Sequence, residues 1–244
     1  MPGLLVTVRF HDNRYHGSGD WPPSPARLFQ ALVVSAAGGE KLSSQALEAL
    51  YWLEGLEAPI IAAPSSYAGQ SFRNFVPNND LDAVGGDPAR VSEIRTAKLI
   101  HPRLFSAEKP LIYAWTFDDS AEAERHASTI CEIAENLYQL GRGVDMAWAT
   151  GEVVSEAAEV EVRLRAHGGV LWKPSEGGDG NVLLCPHPGS LASLLRRFEA
   201  TRKRFQVVEH GRRTVQLFRQ APKASFKPVD YNSPPTILLF DIRQ

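Results

Sequence analysis

Residues 4–39 read LLVTVRFHDNRYHGSGDWPPSPARLFQALVVSAAGG, and the change of period inside this stretch decides the fold class. From Leu4 to Phe10 the side chains alternate, with Leu4, Val6, Val8 and Phe10 on one side and Leu5, Thr7 and Arg9 on the other. A period of two belongs to a strand. The turn-rich HDNRYHGSGDWPP follows, and then Ser24 offers a helix cap while Pro25 takes the first helical position, where its missing N–H is harmless. Leu28, Phe29, Leu32 and Val33 recur at helical spacing as a buried stripe. Gly38 and Gly39 end the helix, because glycine tolerates the left-handed cap.

Working outward, a second helix starts at Ser43 or Ser44, carries Leu47, Leu50, Tyr51 and Leu53, and stops at Gly55 and Pro59. Residues 60–63 add a short strand. From Tyr67 to Lys109 the sequence is irregular and polar, with Asn78, Asn79, Gly85, Gly86, Asp87 and Pro88 near its middle, as in a long excursion or extended hairpin. LIYAWTF at 111–117 is a buried strand, and Ile130, Ile133, Ala134 and Leu137 mark a helix over 120–140 that Gly141 stops. Strand-like runs at 146–154 and 158–166 precede a glycine-rich turn region at 168–181 and a strand at 181–185. A basic helix begins near Ser190 with Leu191, Leu194, Leu195 and Phe198 inward, and TILLFDI at 236–242 forms a closing strand. This order predicts an α+β, ferredoxin-like antiparallel sheet with helices on one face. Ending on an apolar strand is the expectation for one half of something longer.

The 244 residues are 43% hydrophobic, enough for an ordinary core, and the formal charge of −2 resembles that of a globular protein. Cys131 and Cys185 have no metal-ligand spacing, so free thiols in a cytoplasmic protein are expected. No leader pattern opens the chain, and no stretch approaches the ~18 apolar residues of a membrane span. Charge is informative only when mapped. Residues 118–163 hold eleven Asp/Glu against three Arg, and residues 196–227 hold ten Lys/Arg against two Glu. Such asymmetry fits either a basic face for a polyanion or two solvated faces of opposite sign.

The string NRYHGSGDWPPSPARLFQAL at 13–32 resembles the start of the fused Cas-five/Cas-six subunit of type I-G (formerly I-U) CRISPR Cascade, a member of the RAMP superfamily. Later segments agree in order: FRNFVP at 72–77, KPLIYAWTF at 109–117 and LGRG at 140–143. The resemblance spans roughly the first 150 residues. Asn13 and Gly143 depart from the family's usual Gly and Ser. The resemblance implies a Cas-five-like RAMP domain over 1–244, a thumb-like hairpin insertion at about 67–109 and a basic C-terminal region at about 190–244, with the Cas-six-like half absent. It further implies a non-catalytic subunit that holds the 5′ handle of CRISPR RNA and caps the Cascade backbone. The expected partners are CRISPR RNA, Cas-seven-like backbone subunits, the large subunit and a Cas-six-like half, with no membrane and no cofactor.

Under that reading Arg14 pairs with a phosphate, Tyr15 or His16 stacks on an unpaired base, and Ser24 and Arg27 hold the backbone at a helix N-terminus. Phe72, Arg73, Phe75, Lys98 and Arg103 serve the thumb, alongside Arg90 and Arg95, and Arg142 lies in the LGRG turn. Arg196, Arg197, Arg202, Lys203 and Arg204, with Arg212 and Arg213, are interleaved with Phe198 and Phe205 and either neutralise phosphates or form a solvated face. Two alternatives remain at this point. One is an endoribonuclease acting on precursor CRISPR RNA through Tyr15 and His16; the other is a protein-only scaffold. His11 and His16 have no carboxylates at metal-ligand spacing beyond Asp12 and Asp20, so no metal site is expected. The motifs for nucleotide hydrolysis, dinucleotide redox and serine hydrolysis are missing from the sequence.

Overall fold

A computed structural model describes residues 1–17, 20–38, 41–77, 87–177, 181–202, 205–210, 213–218 and 221–232, with residues 205–210 and 213–218 described by backbone alone. Strand β1 (Gly3–Phe10), the short β2 (Arg14–Tyr15), α1 (Pro25–Ala37) and α2 (Ser44–Gly55) come first. Next are β3 (Ile60–Ala63), β4 (Ser66–Ala68), β5 (Phe72–Pro77), β6 (Arg95–Ile100), β7 (Arg103–Phe105) and β8 (Leu111–Thr116). Then follow α3 (Ala121–Glu135), β9 (Ala147–Val154), α4 (Ala157–Ala166), β10 (Val170–Pro174) and β11 (Asn181–Cys185). Helix α5 (Ser190–Arg202), β12 (Phe205–His210), β13 (Arg213–Phe218) and β14 (Lys227–Asn232) complete the order.

Seven strands form the main sheet in the order β11-β14-β10-β3-β8-β1-β9, and every pairing in it is antiparallel. β1 lies inside the sheet, and its two faces bury different partners. Leu4, Val6, Val8 and Phe10 join Leu28, Phe29, Leu32, Leu50 and Ile130 in the core beneath α1, α2 and α3. Leu5 faces the other way and, with Ala62, Ala114 and Val154, receives Val160 and Leu164 of α4. Helices therefore cover both faces, which corrects the one-face expectation.

The cause of that difference is residues 158–166, expected as a strand and observed as α4. Val160, Val162 and Leu164 alternate with charges, yet only Val160 and Leu164, four apart, are buried, while Val162 is 63% exposed. Ion pairs from Arg163 to Glu152 at 2.9 Å and to Glu159 at 3.3 Å lie along the polar side. Four-residue spacing on one face is helical.

Other departures are local. Ser24 stands at the N-cap of α1 but its side chain makes no capping bond; its carbonyl accepts from the Arg27 and Leu28 amides. Gly38, at φ 51°, provides the left-handed stop. In α2 the Ser43 hydroxyl does cap, accepting from Ala46 N at 3.1 Å. The buried positions there are Ala46, Ala49, Leu50, Leu53 and Glu54, and Tyr51 faces solvent. The segment at 168–181 contains β10, α3 ends before Gly141, and Phe198 of α5 points outward rather than in. The readings of Gly39, Asn78, Asn79, Gly85, Gly86, Lys203, Arg204, Arg212 and the 236–242 strand lie outside the described residues, as do the side chains of Phe205 and Arg213.

The 67–109 excursion is an antiparallel strand pair attached to the body at its root. Root pairing joins β4 to β7, with Ala68 opposite Arg103, and β2 adds a third strand through Arg14 opposite Leu104 and Tyr15 opposite Arg103. Beyond the root, β5 pairs with β6 from Phe72–Ile100 to Pro77–Arg95. Three residues, 69–71, separate the two paired regions on one strand and two, 101–102, on the other. That is the one-residue excess of a bulge.

Candidate functional site

The 11–16 loop is held at several points. His11 N donates to the Met146 carbonyl, Phe105 N to the Asn13 carbonyl, and Ala107 N to Asn13 Oδ1 at 2.8 Å. Arg14 is exposed, and its guanidinium donates to Asp12 Oδ2 from Nε at 3.0 Å and from Nη2 at 2.8 Å. The Arg14 bond holds the Asp12 carboxyl below the usual carboxylate range.

Tyr15 is 0% exposed, with ring contacts to Phe10 at 5.8 Å and Trp21 at 6.0 Å. It cannot stack on a base, which corrects the expectation for that residue. Its hydroxyl is buried with no hydrogen-bond partner among the described residues, and burial pushes its pKa far above the ordinary phenol value. His16 is different. Both its backbone N and its Nδ1 lie 2.8 Å from Asp145 Oδ1, while Arg142 N donates to Asp145 Oδ2 at 2.8 Å. A carboxylate only accepts, so Nδ1 carries the proton in this bond and Nε2 is left as the ring's other polar atom. Asp145 is buried, and nothing singled it out in the sequence beyond its place in a glycine-rich turn, where Asp commonly bonds backbone amides.

Trp21 Nε1 donates to the Pro64 carbonyl at 3.1 Å, and Tyr113 Oη donates to the Pro23 carbonyl at 2.6 Å, so the WPPSP segment is bonded inward. Ser24 is 6% exposed, which removes it from the surface as a phosphate contact. Arg27, one turn into α1, is half-buried.

The arm sorts its side chains onto two faces, since residues directly opposite in an antiparallel pair share a face. Phe72, Asn74 and Lys98 lie on one, and Phe72 meets the His16 ring edge-on at 6.2 Å. Arg73, Phe75, Ala97, Leu99 and Arg95 lie on the other, where Phe75 is 60% exposed. The expected thumb residues are thus divided. Arg103 is half-buried, in the same cross-strand row as Tyr15.

On the outer side of the root, Arg14, Leu104 and Tyr67 stand opposite one another across β2, β7 and β4. The sequence reading missed Tyr67, since only pairing across some ninety residues brings it to Arg14. The basic helix lies apart from this cluster, packed on α2. Arg196 and Arg197 are exposed, Arg197 donates to the Pro222 carbonyl at 3.0 Å, and Arg202 lies over the exposed Phe198 ring at 5.8 Å. Arg142 contributes its backbone amide to the Asp145 turn, and its side chain is partly exposed.

Among the described residues no His/Cys/Asp/Glu group could hold a metal ion, and no helix is long and apolar enough to cross a membrane. The family model described as CRISPR-associated protein, GSU0054 family, matches residues 3–235. A solved structure described as a CRISPR protein from Archaeoglobus fulgidus aligns at 14% identity with a TM-score of 0.34, covering 75% of this chain and 74% of that one. No curated protein matches the chain.

Proposed function

The chain belongs to the CRISPR-associated GSU0054 family and so takes part in CRISPR defence, and from that premise we propose that it is a non-catalytic RNA-binding subunit. It holds the 5′ handle of CRISPR RNA and caps a Cascade backbone of type I-G. CRISPR RNA, Cas-seven-like backbone subunits, the large subunit and a Cas-six-like half are its partners in this reading. The order β3-β8-β1-β9, in which the second, third, first and fourth strands of a split βαβ pair sit side by side, supports a ferredoxin-like RAMP scaffold. The burial of Tyr15 favours binding over cleavage through Tyr15 and His16, because both members of an acid–base pair must reach the 2′-hydroxyl.

The observation that carries the proposal is the arm's exposed face. Arg73 and Arg95 give it positive groups beside the flat ring of Phe75 and the apolar Leu99, a set that suits a phosphate chain and its unstacked bases. Gel shifts of labelled CRISPR repeat RNA at two salt concentrations test it. The Arg73→Ala plus Phe75→Ala variant should bind at least about tenfold more weakly than the wild type at low salt. Absence of any wild-type shift at low salt would rule the reading out.

A further inference from the structure

Arg14, Leu104 and Tyr67 form one row across the three-stranded root of the arm, and a groove of about 350 Å³ opens over it, lined by these three with Asp12, Asn13 and Phe105. Tyr67 is 65% exposed, and no ring contact or hydrogen bond to another described residue occupies it. Arg14 had suggested a phosphate. Its charge, however, is matched by Asp12 through two bonds from one guanidinium, so this groove has no net positive charge to offer an anion. What remains is a flat aromatic face flanked by paired donors and acceptors.

The hydrogen-bond capacity on that rim can be counted. A carboxylate accepts about four bonds. Asp12 Oδ2 takes two from Arg14, and Oδ1 takes one from Asn13 N at 2.8 Å, which leaves Oδ1 with a lone pair that no other described residue fills. Of the five guanidinium N–H groups, Asp12 uses two, so Arg14 keeps donors beside that open acceptor. A neutral, planar ligand carrying an amino donor next to a ring acceptor matches this edge. We infer that the groove holds one unpaired nucleobase with an exocyclic amine, stacked on Tyr67 and read at its edge by Asp12 and Arg14. The inference rests on the RNA-binding reading above and assigns a base contact where that reading placed a phosphate.

Binding of labelled oligoadenylate, oligocytidylate and oligouridylate of equal length to the full chain tests it. Tyr67→Ala should weaken binding of the first two by about tenfold, the loss expected for one stacked base. Tyr67→Phe should stay within about twofold of the wild type, since the ring is kept. The slope of log affinity against log salt should not change in either variant, because no phosphate contact is lost. Asp12→Ala should narrow the preference over oligouridylate. Tyr67 is largely exposed, so an unchanged melting temperature in Tyr67→Ala separates loss of contact from loss of fold. Wild-type affinity in Tyr67→Ala, with the arm double variant still weakened, overturns the base site and leaves the RNA-binding reading standing. A flatter salt slope in Tyr67→Ala also overturns it. If the wild type binds neither these oligonucleotides nor repeat RNA, both readings fall together.

Discussion

Tyr15 adjoins the exposed Arg14 and is nonetheless wholly enclosed, because β2 turns alternate side chains to opposite faces. Its ring fills the space between Phe10 and Trp21 while its hydroxyl finds no partner among the described residues. Removing an unsatisfied hydroxyl of this kind costs little or stabilises, whereas removing the ring leaves a cavity. Tyr15→Phe is therefore expected to unfold at the same or higher urea concentration than the wild type and to keep its RNA affinity. Tyr15→Ala should lose about 3–5 kcal/mol in the same denaturation. A loss of affinity in a fully stable Tyr15→Phe protein would contradict this assignment. The sequence hid the distinction because RYH lies in a polar loop, and besides Phe10 and Trp21 the enclosure needs β7 and the Gly141 turn, both distant along the chain.

At the level of elements, a buried carboxylate ties the start of α5 to α2. Glu54, near the end of α2, accepts from Gly189 N at 2.9 Å and Leu191 N at 2.6 Å, so it satisfies amides at the start of α5. An anion at that end also complements the helix dipole. Glu54→Ala removes the acceptor of both amides and leaves that of the buried Leu191 unpaired, which should cost about 1–3 kcal/mol. Hydrogen exchange should show the Gly189 and Leu191 amides losing protection first; unchanged protection there would refute the role. The elements that were readable share a feature: the alternation of β1, the stripes of α1 and α3 and the apolar run of β8 each state their period within one segment. EVEVRLR at 159–165 fits two periods, and only the sheet surface presented by Leu5, Ala62, Ala114 and Val154 decides between them. Local pattern cannot express that choice. For the same reason Asp145 and Tyr67 could not be picked out of the sequence, since their roles exist only through pairing with distant strands and loops.

Across the whole molecule, several acids are buried or half-buried in their neutral form. Burial pushes the Cys131 and Cys185 thiols up from 9.0 to about 11, and it raises the Tyr113 and Tyr231 phenols above their ordinary value of 10.0. Each group then holds its proton more tightly folded than unfolded, so the folded state binds more protons above pH 9 and stability falls there. The contribution is complete below about pH 9 and is lost as pH climbs from about 9 through 11 for the thiols, with the tyrosines extending the loss beyond. Urea midpoints in reductant should be level from pH 7 to 8.5 and drop by pH 10.5; a level profile throughout would disprove it.

The extra residue at the root of the arm fixes which groups keep company further out. Because three residues stand against two there, Phe72 and Asn74 share a side with Lys98, and Arg73 and Phe75 share a side with Leu99 and Arg95. Deleting Gln70 alone would slide the strands by one and give Lys98 the neighbours that Leu99 has now, while a two-residue change would keep every side chain on its present side and only move its partner along by two. Length at that spot therefore behaves as an even-or-odd code, and relatives that differ there by an odd number would carry their aromatic and basic groups on exchanged sides.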